Sequence, residues 1–297
     1  MKISIVTINY NNAEGLRRTL ESVAAQTYHE IEHVIVDGAS TDNSVEIIKD
    51  YVRRFEIGDL RLENVIWSSE KDNGIYNAMN KGVKKATGDY VFILNSGDVL
   101  AGPEVTARMI AALNDGMSRD KSLNDGGIDI LIGNIIHAYP GGKRTVESGK
   151  WKVESGKPHA MDVSMLTFYS GTVPHDAAFV KRELFAQYGY FDEKMKICAD
   201  WKLYLDMIAL GRVQPLYVDI DVVLFDMSGI SNTNNELRLA ERKAYLEQVL
   251  PAAVLKDYDA YARPIGQYER LKKHHLWGFV TFMERVLFKL EKWHILK

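Results

Sequence analysis

Asp98 is the residue whose place in the sequence points most clearly to chemistry. It follows the apolar run 91–94 and is separated from it by Asn95, Ser96 and Gly97. The apolar run predicts a buried strand, and Gly97 allows the backbone to turn closely at its end. A carboxylate at such a turn suits Mg²⁺ or Mn²⁺, which binds one or two carboxylates together with phosphate oxygens. The sequence therefore predicts a divalent metal over a diphosphate at this turn.

Similar polar clusters follow three earlier runs that resemble strands. They are NYNN at 9–12, DGASTD at 37–42 and SSEKDNG at 68–74. Ligands of open α/β sheets bind beyond the carboxyl ends of the strands, so the clusters predict a site along one edge. Asn, Asp, Gly and Ser also dominate ordinary turns, and a turn explains any single cluster more simply. Their repetition at four strand ends favours a ligand site.

Alternating strands and helices are needed to bring these clusters together. Strand-like runs lie at 3–10, 31–38, 62–69 and 89–95, and runs with helical spacing lie at 13–26, 42–55 and 75–86. This alternation predicts βαβ units, and hence an α/β fold with a Rossmann-like, mostly parallel sheet flanked by helices. Neither a G-x-G-x-x-G turn nor a P-loop motif is present, which argues against dinucleotide-binding and P-loop enzymes.

The pattern is less regular beyond residue 100. Polar, glycine-bearing stretches at 113–127 and 140–158 are predicted surface loops that shape a pocket. Strand-like runs return at 128–139 and 213–227, and a helix is predicted at about 234–250.

Composition excludes several classes of protein. The 297 residues are 46% hydrophobic and 26% charged, which is typical of a globular protein, and the net charge of −3 gives no basic field for nucleic acid. Cys198 is the only cysteine, so no disulfide forms within the chain, and a small core residue is expected there. No apolar run is long enough to span a bilayer. The sequence predicts a cytoplasmic protein.

Four stretches together carry a family resemblance. They are SIVTINYNN from residue 4, ESVAAQTYHEIEHVIVDGASTDNS from 21, SEKDNGIYNAMNKGVKKATGDYVFILNSGD from 69 and PHDAAFVKRELFAQYGYFDEKMKICADWKLYL from 174. In order and spacing, over about residues 1–225, the chain resembles inverting glycosyltransferases of family 2, which have the GT-A fold. The subgroup it most resembles acts in bacterial capsule, O-antigen or exopolysaccharide assembly.

The resemblance implies a function and its partners. We expect a metal-dependent, inverting hexosyl- or N-acetylhexosaminyltransferase that uses a nucleotide-diphosphate sugar and a saccharide or lipid-linked acceptor. It implies a nucleotide-sugar-binding half at 1–100, an acceptor-binding half at 101–230 and a C-terminal helical extension at 231–297. Two alternatives remain, a non-catalytic nucleotide-sugar-binding module and a nucleotidyltransferase. The second would be expected to have a basic Gly-rich loop after the first strand, which residues 9–15 do not offer.

The resemblance also implies roles for residues on the donor side. Thr7 and Tyr10 would line the pocket for the base, and Asp37 would bind the base or the ribose. Glu70 and Asp72 would lie near the ribose and the donor sugar. Asn95 and Ser96 would contact the substrate beside Asp98, which would hold the metal. Gly38 departs from the family pattern, which commonly has a second aspartate at that position.

On the acceptor side, the resemblance implies that Asp200 is the catalytic base and that His175 lies near the acceptor or the diphosphate. Ala199 departs from the family pattern, which has a glutamate before this aspartate. By residue type alone, capping the following helix is favoured over a base for Asp200, and His175 suits a buried structural histidine. Trp201 suits either the core or a stacking surface for an acceptor sugar.

The tail at 271–297 combines apolar residues at helical spacing with lysine and arginine on its other faces. A basic amphipathic helix of this kind suits the interface of an anionic membrane, which would place the protein peripherally on the inner face of the cell membrane. The same helix suits packing on the catalytic domain or on a second subunit, as in a homodimer. Both interpretations stay open.

Overall fold

A computed structural model describes residues 1–119, 127–139, 144–147, 157–227 and 234–292. The strands are β1 Ile3–Asn9, β2 Ile31–Asp37, β3 Asn64–Ser69, β4 Tyr90–Ile93, β5 Val99–Leu100, β6 Ile130–Ala138, β7 Arg144–Glu147, β8 His159–Ala160, β9 Ala178–Lys181 and β10 Pro215–Asp226. The helices are α1 Ala13–Ala24, α2 Ser44–Glu56, α3 Ile75–Lys85, α4 Val105–Arg119, α5 Met165–Ser170, α6 Arg182–Gln187, α7 Ala199–Tyr204, α8 Asn235–Val249, α9 Ala252–Lys273 and α10 Trp277–Lys292. A 3₁₀ turn spans His175–Ala177, and α7 continues as a π-helical segment, Leu205–Leu210.

One sheet runs through the described part of the chain, in the order β3-β2-β1-β4-β9-β6-β10-β5, with β7 beside β6 and β8 beside β10. Strand β1 is parallel to β2 and β4, and β2 is parallel to β3. Strand β9 is antiparallel to both β4 and β6, whereas β6 and β10 are parallel. The parallel half confirms the predicted βαβ units, and the other half is mixed because its short strands return antiparallel.

Apolar residues at strand and helix spacing build the core. Strands β1 and β2 are buried along their whole length, as expected for strands in the interior of a parallel sheet. Leu16 and Leu20 of α1 pack with Ile48 of α2 in one cluster of buried residues. In the larger cluster the rings of Phe92 and Phe179 stack with centroids 4.9 Å apart, which joins β4 to β9.

The prediction of a surface loop at 113–127 was partly wrong. Helix α4 continues to Arg119, because Leu113 extends the apolar stripe of Met109 and is buried in the core. Residues 120–126 lie outside the described residues. Of the second predicted loop, Arg144–Glu147 forms β7 against β6, and 140–143 and 148–156 lie outside the described residues.

The chain divides into two compact units, Met1–Lys243 and Ala244–Lys297. Within the second unit, the rings of Tyr268 on α9 and Trp277 on α10 meet edge to face, 4.3 Å apart. The predicted helix of the tail is confirmed over Trp277–Lys292; 293–297 lie outside the described residues. None of the described helices combines the length and the apolar character needed to cross a membrane.

Candidate active site

Asp37 ties the ends of β1, β2 and β3 together. Its carboxylate oxygens accept hydrogen bonds from Asn9, Ser69 and both the N–H and the hydroxyl of Ser40, at 2.6–2.9 Å. Burial opposes ionisation, but these hydrogen bonds hold the pKa of Asp37 below its ordinary value. Four donors occupy the acceptor sites of this fully buried carboxylate. Asp37 therefore fixes the loop after β2, and direct contact with a nucleotide would require exchanging one of these donors.

Gly38 lies against Asp72 and Tyr10. A Cβ at Gly38 would stand 2.6 Å from Asp72 Oδ2 and 3.2 Å from the Tyr10 ring. Asp72 thus brings a carboxylate to the place where the expected second aspartate of this loop would begin, which accounts for the glycine. Tyr10 is 66% exposed, so its ring is open to a ligand. Glu70 also lies near the surface and pairs with Lys81 at 3.2 Å.

Thr7 is the predicted donor-side residue that lies away from this edge. Its fully buried hydroxyl is 3.0 Å from His33 Nε2, and His33 Nδ1 is 3.0 Å from the Tyr51 hydroxyl. Burial lowers the pKa of His33 to about 3, so its ring is neutral at physiological pH. These bonds give Thr7 a supporting position inside the sheet.

Helix α1 holds the turn that follows β4. Gly97 has φ +109°, a conformation that favours glycine, as the sequence predicted. The Thr19 hydroxyl lies 2.7 Å from the carbonyl oxygen of Asp98 and accepts the N–H of Gly97 at 3.0 Å. Asn12 donates to the carbonyl oxygen of Ser96 at 3.0 Å. The turn is therefore fixed from two points before it meets any ligand.

The Asp98 carboxylate points into an acidic, nearly buried setting. Its Oδ1 accepts the backbone N–H of Asp226 at 2.9 Å. Burial raises the pKa of Asp98 well above its usual range, and repulsion from Asp176 and Asp226 raises it further. Asp226 ends β10, 128 residues further along the chain, and pairs with Arg18 at 3.6 Å. Sequence reasoning missed Asp226, although its place at another strand end was a usable signal.

His175 lies between the carboxylates of Asp176 and Asp200. Its Nε2 is 3.6 Å from Asp176 Oδ2 and 3.5 Å from Asp200 Oδ2, and its Nδ1 donates to the carbonyl oxygen of Val173 at 3.1 Å. Burial opposes a charge on the ring, but the two carboxylates raise the pKa of His175 to about 10. Burial also opposes the ionisation of Asp200, yet pairing with His175 holds the pKa of Asp200 below its ordinary value. At neutral pH the pair is therefore an imidazolium and a carboxylate.

Asp200 lies in the first turn of α7, and Cys198 occupies the capping position before the helix. The alternative in which Asp200 is the cap therefore does not hold. Asp200 Oδ1 accepts the N–H of Trp201 at 2.6 Å. Trp201 is 1% exposed, and its indole N–H donates to the carbonyl oxygens of Phe168 and Gly171. Because the ring is buried, an acceptor sugar cannot stack on it. The predicted substrate contact of Trp201 is therefore wrong, and the residue belongs to the core.

The residues around Asp98 are suited to a divalent cation. In the described ranges, no three carboxylate, imidazole or thiol groups converge to hold an ion by themselves. Asp98 is nevertheless a buried carboxylate facing two other acids, whose repulsion a cation would relieve. The Oδ1 atom of the adjacent Asn95 is buried and has no hydrogen-bond partner among the residues that the structure describes. These oxygen donors fit a hard cation that takes its other ligands from a substrate.

Comparison with known proteins agrees with this architecture. The model of the family described as "Glycosyl transferase family 2" matches residues 4–189. An uncharacterised glycosyltransferase of Mycobacterium tuberculosis is 30% identical over 233 residues, 77% of each chain. A PGL/p-HBAD biosynthesis glycosyltransferase of Mycobacterium bovis is 27% identical over 231 residues, 77% of this chain and 79% of the relative.

Two solved structures share the fold. TarS 1–349 of S. aureus, in complex with UDP-GlcNAc, superposes with a TM-score of 0.60 at 19% identity, over 93% of this chain and 78% of that one. The mannosyltransferase PcManGT of Pyrobaculum calidifontis, in complex with GDP-Man and Mn²⁺, gives a TM-score of 0.54 at 15% identity, over 94% of this chain and 85% of that one. With these neighbours, the predicted GT-A architecture is confirmed.

Proposed function

The chain belongs to glycosyl transferase family 2 and is a glycosyltransferase, and we propose that it moves a hexosyl or N-acetylhexosaminyl group from a nucleotide-diphosphate sugar to a hydroxyl, with inversion. The strongest support is the chain of interactions that links Asp98 to Asp200. His175 pairs with Asp200, and Asp176 acts electrostatically on both His175 and Asp98. These contacts support a diphosphate site and a base at one edge of the sheet. The neighbours crystallised with UDP-GlcNAc and GDP-Man support this donor class.

Asp200 is the proposed general base. It takes the proton of the acceptor hydroxyl while the new bond forms between that oxygen and the anomeric carbon. The bond from the anomeric carbon to the diphosphate oxygen breaks, and the diphosphate leaves from the opposite face. A well-placed base contributes roughly 10²–10⁴-fold to such a step. Ion pairing with His175 keeps Asp200 ionised and oriented, so the base is ready at neutral pH.

Asp98 is the proposed anchor for Mn²⁺ or Mg²⁺, with Asp226 beside it and Asn95 and Ser96 in the same turn. A bound cation would offset the negative charge that develops on the leaving diphosphate. Tyr10, Glu70 and Asp72 are the proposed contacts for the nucleotide and the donor sugar, because they lie exposed or half-exposed at the ends of β1 and β3. Thr7 and Asp37 would support these contacts through their buried hydrogen bonds, without touching the donor.

The biological setting we propose is the assembly of a bacterial cell-surface polysaccharide, such as a capsule or an O-antigen, on a saccharide or lipid-linked acceptor. The bacterial origin of the relatives and the biosynthetic name of one of them support this setting. The test is product analysis: bacteria in which the gene is deleted should lack one sugar of a surface glycan. An unchanged glycan would contradict the proposal.

The C-terminal helices are the proposed contact with the membrane that carries such an acceptor. Phe279, Phe282 and Leu287 are 65%, 60% and 44% exposed on α10, which also bears the exposed Arg285. Exposed aromatic side chains beside a basic residue suit an anionic interface. The full chain should sediment with phosphatidylglycerol vesicles but not with phosphatidylcholine vesicles, and a chain ending at residue 270 should stay in solution. Equal sedimentation of both chains, or dimerisation through α10 without lipid binding, would refute this contact.

A donor screen tests the catalytic proposal. Nucleotide sugars are added with Mn²⁺, and the melting temperature is followed, because a ligand that binds the folded state stabilises it. The best donor is then assayed for transfer with the wild type and with Asp200→Asn. The proposal predicts donor binding in both proteins but transfer only by the wild type. Binding without turnover in the wild type would favour the non-catalytic alternative.

A further inference from the structure

Two neighbouring residues of α8, Glu241 and Arg242, contact the segment that carries Asp200. The carboxylate of Glu241 accepts the three successive backbone N–H groups of Lys196–Cys198 at 2.6, 3.0 and 3.0 Å. These amides lie directly before α7, and that of Cys198, at the N-cap, is one of the groups that a helix start leaves without a partner in the helix. A carboxylate from a distant helix therefore holds the backbone that leads into the helix that carries Asp200.

Arg242 holds the residue on the other side of Asp200. Its guanidinium lies over the Trp201 ring, 5.0 Å from the centroid, and its Nη1 donates to the carbonyl oxygen of Gly171 at 3.2 Å. The indole N–H of Trp201 donates to the same carbonyl oxygen at 3.0 Å. A stacked guanidinium that also donates a hydrogen bond restrains an aromatic ring in both tilt and position.

We propose that Glu241 and Arg242 are positioning residues that fix Asp200 in place for the transfer reaction, an inference that rests on the proposed function. Glu241 secures the backbone before Asp200, and Arg242 secures the side chain after it. Together they determine where the carboxylate stands relative to the acceptor hydroxyl.

A displaced base has a kinetic signature that distinguishes positioning from general stability. A shift of about 1 Å in a catalytic group can lower a rate about 10²-fold. The donor-side residues are held by α1 and by the network around Asp37, so losing the α8 contacts should leave donor binding intact. Positioning therefore predicts a lower kcat with an unchanged KM for the donor. A purely structural role predicts a lower melting temperature with kcat unchanged at temperatures where the variant is folded.

The test compares Glu241→Gln, Arg242→Met and Arg242→Lys with the matched controls Glu236→Gln and Lys243→Met, which change exposed charges on α8. Glu241→Gln and Arg242→Met should lower kcat by about 10–100-fold. Both controls should behave as the wild type, and Arg242→Lys, which keeps the charge, should recover part of kcat.

A pH profile gives a second readout. Arg242 favours the ionised form of Asp200, so Arg242→Met should move the acidic limb of kcat to higher pH and Arg242→Lys should not. The other titratable groups that act on or face Asp200 stay the same in all these variants; they are His175, Tyr76, Cys198 and Tyr204.

The outcomes separate the two levels of the proposal. Wild-type kcat in both Glu241→Gln and Arg242→Met, alongside an inactive Asp200→Asn, would overturn the positioning role alone. Full activity of Asp200→Asn would overturn the base and the positioning role together. Amide hydrogen exchange of the peptide containing 196–198 gives a readout that needs no activity. It should be faster in Glu241→Gln than in Glu236→Gln, and equal rates would overturn the contact between Glu241 and this backbone.

Discussion

Asp98→Asn should make the ligand-free protein more stable while abolishing its response to metal and donor. Asparagine keeps the shape of the side chain and an Oδ1 that can accept the N–H of Asp226. It removes a buried negative charge that faces two other acids. A poorly compensated buried polar group costs on the order of 1–3 kcal/mol, and a charged group costs more; the single hydrogen bond from Asp226 offsets only part of this cost. Since 1 kcal/mol corresponds to about 2–4 °C for a domain of this size, the melting temperature in EDTA should rise by several degrees.

The pH dependence of this gain has a definite sign. The unfolded chain releases the Asp98 proton near pH 3.9, as an ordinary aspartate does, whereas the folded protein keeps it to higher pH because burial raises the pKa of Asp98. The stability that this carboxyl provides is therefore greatest in acid and is lost as the pH rises through its folded pKa. The advantage of Asp98→Asn should be absent near pH 4 and should grow as the pH rises through the folded pKa of Asp98.

Differential scanning fluorimetry in EDTA, and in Mn²⁺ with the best donor, measures both effects. A ligand at 100 times its Kd stabilises the folded state by about 2.7 kcal/mol, so the wild type should gain several degrees and Asp98→Asn almost none. Asp59→Asn, at an exposed position, is the control and should match the wild type in both conditions. A variant that melts below the wild type in EDTA at pH 8, or that keeps the full ligand shift, would refute the reasoning.

Three further changes test other parts of the site. His175→Asn should raise the pKa of Asp200 by removing its cationic partner, so the acidic limb of the kcat profile should move to higher pH. An unchanged limb would show that His175 does not keep Asp200 ionised. Gly38→Ala should weaken donor binding in a thermal-shift titration, because its Cβ would stand 2.6 Å from Asp72 Oδ2, whereas Gly102→Ala, with no atom within 4 Å, should bind normally. Asp37→Asn should lower the free energy of unfolding by about 1.5–3 kcal/mol, since hydrogen bonds to a charged acceptor are lost; unchanged urea denaturation would contradict the network around Asp37.

Local patterns predicted the strand β4 and the turn after it well. The apolar run before Asn95 and the glycine at 97 specify a strand and a turn within a few residues, and the Gly97 turn is found as expected. Burial was harder to predict, because it depends on which face of a strand or helix meets another element. Thr7 and Trp201 have side chains that suit a ligand site, yet one pairs with His33 inside the sheet and the other packs under Arg242.

Contacts between residues far apart in the chain could not be predicted from the sequence alone. Asp226 meets Asp98 across 128 residues, and Glu241 meets Cys198 across 43. Such contacts depend on the order of strands, and β9 enters the sheet between β4 and β6 in an order that no local signal specifies. The residues missed were therefore those that complete the site from the far end of the chain.

Membership of the family supports only part of the proposed mechanism. The match to the family ends at residue 189, whereas Asp200, Asp226 and Glu241 all lie beyond it. The assignment of the base therefore depends on geometry, above all on the 3.5 Å between His175, inside the matched stretch, and Asp200, outside it. Because α8 holds the segment next to Asp200 through Glu241, a chain cut before α8 would keep the proposed base but lose its support. Such a chain should transfer sugar slowly with a normal donor KM.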